Sequence, residues 1–177
     1  MGKPKILIWG FTQTQAVLLG KLQQHCQVYA LPQELYWVHD KSSIIQLDTV
    51  IDEGSKIIDP ERFYQEFKEY VYTTLEILQQ GFSEPVSINK KEQERLHTIA
   101  TETAIYGAAL EIAHREHNFD CLIVNSSSSA FRRTVVMTAK ELGILTINLE
   151  HGYVGTLPGV DAQLAHVYFP FMTDITN

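Results

Sequence analysis

His151 is the residue of this sequence best suited to acid–base chemistry, because it lies where an apolar stretch ends, next to Glu150, and precedes a glycine. An unperturbed imidazole titrates at about pH 6.5, so a small change in its surroundings makes it a general base or acid at neutral pH. Glu150 precedes it, and Gly152 and Gly155 let the chain turn and let a ligand approach closely. A histidine hydrogen-bonded within a tight turn is the alternative interpretation.

A second polar group follows an earlier apolar stretch and consists of Asn125, Ser126, Ser127 and Ser128. These residues precede a predicted helix, whose N-terminal N–H groups and macrodipole favour anions and sugar-like acceptors. The group contains neither a dinucleotide-binding Gly-x-Gly-x-x-Gly pattern nor a P-loop. The serines are equally well explained as plain helix caps.

Arg132 and Arg133 fall in the first turn of that predicted helix. Positive charges there oppose the helix dipole, at about 0.3–1 kcal/mol each when exposed, and a bound phosphate or carboxylate would reverse the sign. The alternative is that both guanidinium groups point into solvent or pair with Asp120 or Glu150.

A third group of candidate residues follows the first apolar stretch of the chain. It consists of Gly10, Phe11 and Thr12. In an open parallel sheet, ligands bind beyond the carboxyl ends of the strands, where the strand order reverses. We therefore predict that the three groups lie together at one edge of the sheet. The predicted substrate-binding residues are Gly10, Phe11, Thr12, Asn125, Ser126, Ser127, Ser128, Arg132, Arg133, Glu150 and Gly152.

The elements that must position these groups alternate between strands and helices. Strands are predicted at residues 5–10, 26–31, within 43–52, at 120–125 and at 144–150, and helices at 14–24, 59–81, 89–117 and 130–142. This alternation predicts an α/β fold, a Rossmann-like three-layer sandwich with a mostly parallel sheet and helices on both faces. Residues 33–55 are the least defined part of the pattern.

Composition limits the classes of function. The chain has 177 residues, of which 45% are hydrophobic and 20% charged, as in a globular protein. The formal charge of -7 argues against a general nucleic-acid binder. The first residues show no signal-peptide pattern, so we expect a cytoplasmic protein. Cys26 and Cys121 are far apart in the sequence, so we expect two buried, reduced thiols. The histidines show no spacing that predicts a metal site.

Residues 120–155 resemble the last βαβ unit of the N-terminal lobe in bacterial glycosyltransferases of the GT-B type, especially capsule and surface-polysaccharide enzymes and their glycerophosphotransferase relatives. The matching positions are Asn125, the segment Leu142, Gly143 and Ile144, and the pair His151 and Gly152. The resemblance implies that residues 1–165 form a Rossmann-like N-terminal lobe and that residues 166–177 begin an interlobe connection or a C-terminal tail. It also implies that His151 is the base that deprotonates an acceptor hydroxyl in the interlobe cleft.

From this resemblance we expect the acceptor-side lobe of a glycosyltransferase that transfers a sugar to a surface-polysaccharide acceptor. The nucleotide-sugar donor would bind mainly a second lobe, so no cofactor is expected on this chain, and the chain alone would be inactive. The expected partners are a carbohydrate or sugar-phosphate acceptor and, peripherally, membrane-bound machinery. The alternatives are a non-catalytic module that binds a sugar phosphate or nucleotide, and a lobe of a non-hydrolysing sugar-nucleotide epimerase.

Overall fold

The computed structural model describes residues 2–10, 16–35, 38, 41–81, 87–125, 129–149 and 167–169. Six strands lie within this part of the chain. They are β1 Lys5–Trp9, β2 Gln27–Ala30, β3 Ile44–Gln46, β4 Cys121–Val124, β5 Leu145–Leu149 and β6 Val167–Phe169.

The six strands form one sheet in the order β3-β2-β1-β4-β5-β6, and every neighbouring pair is parallel. The predicted parallel α/β architecture is therefore confirmed. The strand order reverses between β1 and β4, and this is the position at which open α/β sheets bind ligands. β6 lies within residues 166–177, the segment predicted to begin an interlobe connection or a C-terminal tail, and the predicted boundary at residue 165 stays a prediction.

The helices are α1 Ala16–His25, α2 Val50–Ile57, α3 Pro60–Gln79, α4 Lys90–His117 and α5 Ala130–Glu141, with a short 3-10 helix at Pro32–Leu35. Of the region predicted to hold the third strand, only Ile44–Gln46 is strand, and α2 begins at Val50. This second helix was not predicted. It packs closely on α4, since a Cβ on Gly54 would lie 2.8 Å from the carbonyl oxygen of Ile105.

Helices cover both faces of the sheet. On one face, α2, α4 and α5 pack on the strand side chains Leu7, Trp9, Leu122 and Val124. On the other face, Leu19 of α1 packs among Ile6, Ile8, Val28 and Ile123. Apolar side chains thus alternate between two separate cores along each central strand, which explains why these strands are continuous hydrophobic runs.

Local capping explains where the two long helices begin. Asp59 accepts hydrogen bonds from the backbone N–H groups of Glu61 and Arg62 at the start of α3. At the start of α4, Asn89 and Glu92 form the reciprocal pair of hydrogen bonds of a capping box. Both predicted starts are confirmed. In the described part of the chain, no helix combines the length and the apolar character needed to span a bilayer.

Candidate functional site

The structure describes four of the predicted site residues, Gly10, Asn125, Arg132 and Arg133. The others lie outside the described residues and stay predictions: Phe11, Thr12, Ser126, Ser127, Ser128, Glu150, His151 and Gly152. The spacing of Thr12 and Gln15 in the sequence also predicts a capping box before α1, and both residues lie outside the described residues.

Gly10 and Asn125 are direct neighbours at the carboxyl edge of the sheet. They follow Trp9 and Val124, which are paired in the register of β1 and β4. Gly10 has φ +82°, and a Cβ at this residue would lie 2.6 Å from Oδ1 of Asn125. Glycine is therefore required at this point both by the backbone and by the amide that occupies the space beside it.

Arg132 reaches the same point from the first turn of α5. Its Nε and Nη2 atoms each lie 3.3 Å from the position that a Cβ on Gly10 would take. Its guanidinium carbon lies 5.5 Å from the ring centroid of Phe131, which stacks on Tyr106 of α4 at 5.2 Å. Tyr106 in turn contacts the buried Trp9 edge-on at 5.7 Å. This row of rings holds the start of α5 against α4 and β1, and so places the guanidinium beside Gly10.

Several polar atoms at this edge are buried and have no hydrogen-bond partner among the described residues. They are Oδ1 of Asn125, Nε of Arg132, Oγ of Ser129, and both amide atoms of Asn148. Most buried polar groups in proteins are hydrogen-bonded, because leaving one unpaired costs about 1–3 kcal/mol. Unpaired donors and acceptors at the switch point of a parallel sheet are the features expected of a ligand-binding site.

Asn148 was not predicted to belong to the site. It is paired in register with Val124 and is fully buried, as is Thr146 two residues earlier. The polar residues at these alternate positions suggest a solvent-facing side of a strand. That side of β5 is buried instead, because helix α5 packs on it. The pairing of β5 with β6 also makes β5 an internal strand of the sheet. The signal in the sequence that could have indicated this residue is an asparagine within the predicted strand at residues 144–150.

Ser129 is the N-cap residue of α5, but its side chain makes no capping hydrogen bond. Its Oγ atom is among the unpaired buried atoms. The serine hydroxyl is thus free of the helix that it precedes, and it can donate to a ligand or accept from one.

The predicted pairing of the arginines with Asp120 is wrong for Arg132. The carboxylate of Asp120 accepts a hydrogen bond from the backbone N–H of Lys5 at the opposite edge of the sheet, where β1 and β4 begin. Arg133 has an interaction partner of its own. Only Arg132 of the two is placed beside Gly10.

The two cysteines are both free, and Cys121 is buried while Cys26 is only half-buried, which corrects the expectation of two buried thiols. Burial, followed by the nearby Cys26 and Asp120, raises the pKa of the Cys121 thiol to about 11. Cys121 is therefore a protonated core residue at neutral pH. No three His, Cys, Asp or Glu side chains group around a metal position in the described part of the chain.

Open grooves also run along α3. One is lined by residues of α3 itself, including Gln65, Glu69 and Tyr72, and another lies between Tyr72 and Ile88. None of the buried unpaired atoms belongs to the residues that line these two grooves. The strand-end edge is the stronger candidate because its unpaired polar groups are buried and two of them, on Asn125 and Arg132, lie beside Gly10.

Comparison with known proteins gives no matching family model, and neither curated proteins nor solved structures give a match.

Proposed function

We propose that this chain is the acceptor-side lobe of a GT-B-type glycosyltransferase that acts on a surface polysaccharide. The observation that carries the proposal is the convergence of Gly10, Asn125 and Arg132 at the switch point of a parallel sheet. An acceptor needs such a site, with polar groups at the strand ends that are not already used by the fold.

In the proposed reaction, an acceptor hydroxyl attacks the anomeric carbon of the donor sugar, and the bond from that carbon to the nucleotide phosphate breaks. The hydroxyl proton passes to the imidazole of His151, which acts as the general base. The nucleotide phosphate leaves on the second lobe. Asn125 and Arg132 hold the acceptor in place, which lowers the entropic cost of the transfer.

The test is His151→Ala in the protein that carries both lobes, with His25→Ala as the matched control. His25 is an exposed histidine in the last turn of α1, away from the strand ends. We expect His151→Ala to lower kcat by about 10²–10⁴-fold, the usual contribution of a general base, and to leave acceptor affinity unchanged. His25→Ala should retain full activity. Unchanged transfer by His151→Ala would contradict the role of His151 as general base, and no transfer by the unmodified protein would contradict the proposal.

The division between the lobes is tested with this chain alone. The nucleotide-sugar donor should bind it weakly, because the proposal assigns donor binding to the second lobe. Tight binding of the donor, measured by titration calorimetry without a second chain, would overturn this division.

A non-catalytic module that binds a sugar phosphate or nucleotide is the second candidate. It is favoured by the nature of the described groups, since an amide, a guanidinium and a hydroxyl bind ligands but do not transfer protons at neutral pH. Loss of acceptor binding in His151→Ala, with no transfer activity in the unmodified protein, would support this candidate.

A further inference from the structure

The strand-end site presents two groups with opposite hydrogen-bonding needs. Oδ1 of Asn125 only accepts hydrogen bonds, and Nε of Arg132 only donates them. The two atoms lie 2.6 Å and 3.3 Å from the position that a Cβ on Gly10 would take. Neither has a hydrogen-bond partner among the described residues, so they do not bond to each other.

The burial of these groups separates them from ordinary surface side chains. Asn125 is only 4% exposed, and its Oδ1 and the Arg132 Nε are both shielded from solvent. A guanidinium and an amide that faced bulk water would be satisfied by it, whereas these atoms need a partner that enters the site. Oγ of Ser129, also buried and unpaired, adds a group that can donate or accept.

We infer that the ligand of this site is an anionic sugar, one that carries both a hydroxyl group and a phosphate or carboxylate. The hydroxyl donates to Oδ1 of Asn125, and the anionic oxygen accepts from Nε of Arg132 in a charge-assisted hydrogen bond. A neutral sugar leaves the guanidinium without an anion, and inorganic phosphate offers Asn125 only its own P–OH group in place of a sugar hydroxyl. The inference rests on the proposed function, because it names the chemical class of the acceptor.

Four ligands test the inference by titration calorimetry on the full chain: inorganic phosphate, a neutral hexose, a hexose phosphate and a hexuronic acid. We expect the hexose phosphate or the hexuronic acid to bind at least tenfold more tightly than phosphate and than the neutral hexose. The tighter of the two anionic sugars identifies the source of the charge. Equal binding by the neutral hexose or by phosphate would overturn the inference, and so would the absence of binding by both anionic sugars.

Two substitutions then assign the contacts. Asn125→Asp keeps the size of the side chain but places a carboxylate beside Arg132, which occupies the guanidinium and repels an anionic ligand. Arg132→Gln removes the charge. Both should weaken binding of the anionic sugar at least tenfold, while the same change at an exposed arginine of α4, Arg95→Gln, should not weaken it. Wild-type affinity in either Asn125→Asp or Arg132→Gln would contradict the assignment, and circular dichroism checks that each variant is folded.

Failure of this inference about the ligand can be distinguished from failure of the proposed function. Binding of the anionic sugar depends on Asn125 and Arg132 and is measured without any donor. Transfer depends on His151 and is measured in the two-lobe protein. An anionic sugar that binds through Asn125, in a two-lobe protein that shows no transfer, would sustain this inference and refute the proposed function.

Discussion

At the scale of single residues, Gly10 is the position where the site depends most directly on the absence of a side chain. Gly10→Ala should lower the free energy of unfolding by about 2–4 kcal/mol, because a left-handed φ is strained for alanine and the new methyl group meets Oδ1 of Asn125 at 2.6 Å. Chemical denaturation measures the change.

Gly143→Ala is the matched control for Gly10→Ala. Gly143 also has a positive φ, of +76°, but a Cβ there would meet no atom within 4 Å. Its substitution should therefore cost only the backbone strain, about 1–2 kcal/mol. Equal losses in the two variants would mean that the contact with Asn125 does not restrict residue 10.

Asn148 is a second buried residue, and its side-chain amide makes no hydrogen bond within the described part of the chain. Asn148→Leu, with the same number of side-chain heavy atoms, should raise the free energy of unfolding by about 1–3 kcal/mol, because the unpaired amide is removed. Thr146→Val should lower it by about 1 kcal/mol, because this equally buried side chain on the same strand has a partner. Thermal melts of the ligand-free variants measure both changes, and destabilisation by Asn148→Leu would show that the amide is paired.

The thiol of Cys121 makes the free energy of unfolding depend on pH in the alkaline range. Its folded pKa is about 11, above the ordinary thiol value of 9.0, so the folded chain retains this proton where the unfolded chain loses it. The contribution of this thiol to the free energy of unfolding is about 2–3 kcal/mol in total. It is fully present below pH 9 and is lost as the pH rises towards 11. Urea titrations at pH 8 and pH 10 should show a decline that is smaller in Cys121→Ala. An identical decline in both proteins would exclude Cys121 as its source.

At the scale of elements, α4 and α5 begin in different ways although both have a polar N-cap residue. Asn89 of α4 takes part in a capping box, whereas Ser129 of α5 makes no side-chain cap. Asn89→Ala should therefore cost about 0.5–2 kcal/mol, and Ser129→Ala much less. Equilibrium denaturation of the two variants provides the comparison. A similar loss in Ser129→Ala would show that its hydroxyl stabilises the helix and is not reserved for a ligand.

The elements that could be predicted from the sequence are those determined by local signals. Asp59 followed by proline, and Asn89 followed by Glu92, mark the starts of α3 and α4 through hydrogen bonds made within four residues. Helix α2 lacks such a signal, since Thr49 makes no side-chain cap. It depends instead on the close approach of Gly54 to the backbone of α4, a contact between residues far apart in the chain.

At the scale of the whole molecule, the part of the site that could be predicted follows from one topological rule. If all strands are parallel, their carboxyl ends share an edge, and this brings Gly10 and Asn125 together across 115 residues of chain. The choice between Arg132 and Arg133 could not be predicted, because both lie in one helical turn. That choice depends on how the stack of Phe131 on Tyr106 rotates α5 against α4.

The same architecture distributes stability unevenly over the molecule. Helix α3 has no buried residue and packs on α4, whereas Leu7, Ile8 and Trp9 of β1 are at most 1% exposed. Buried positions of α4 begin only at Ala100, so its first ten residues share the surroundings of α3.

The rates of amide hydrogen exchange should therefore differ between the first and the later turns of α4. Amide protons of α3 and of residues 90–99 should exchange at least tenfold faster than those of β1, because this pair of helical segments can open without exposing the core under the sheet. Residues 104–113 of the same helix should exchange at rates close to those of β1, and they serve as the internal control. Mass spectrometry of deuterated peptides resolves these segments. Uniform protection along α4 would show that its first turns open only when the sheet does, and that α3 is part of the same cooperative unit.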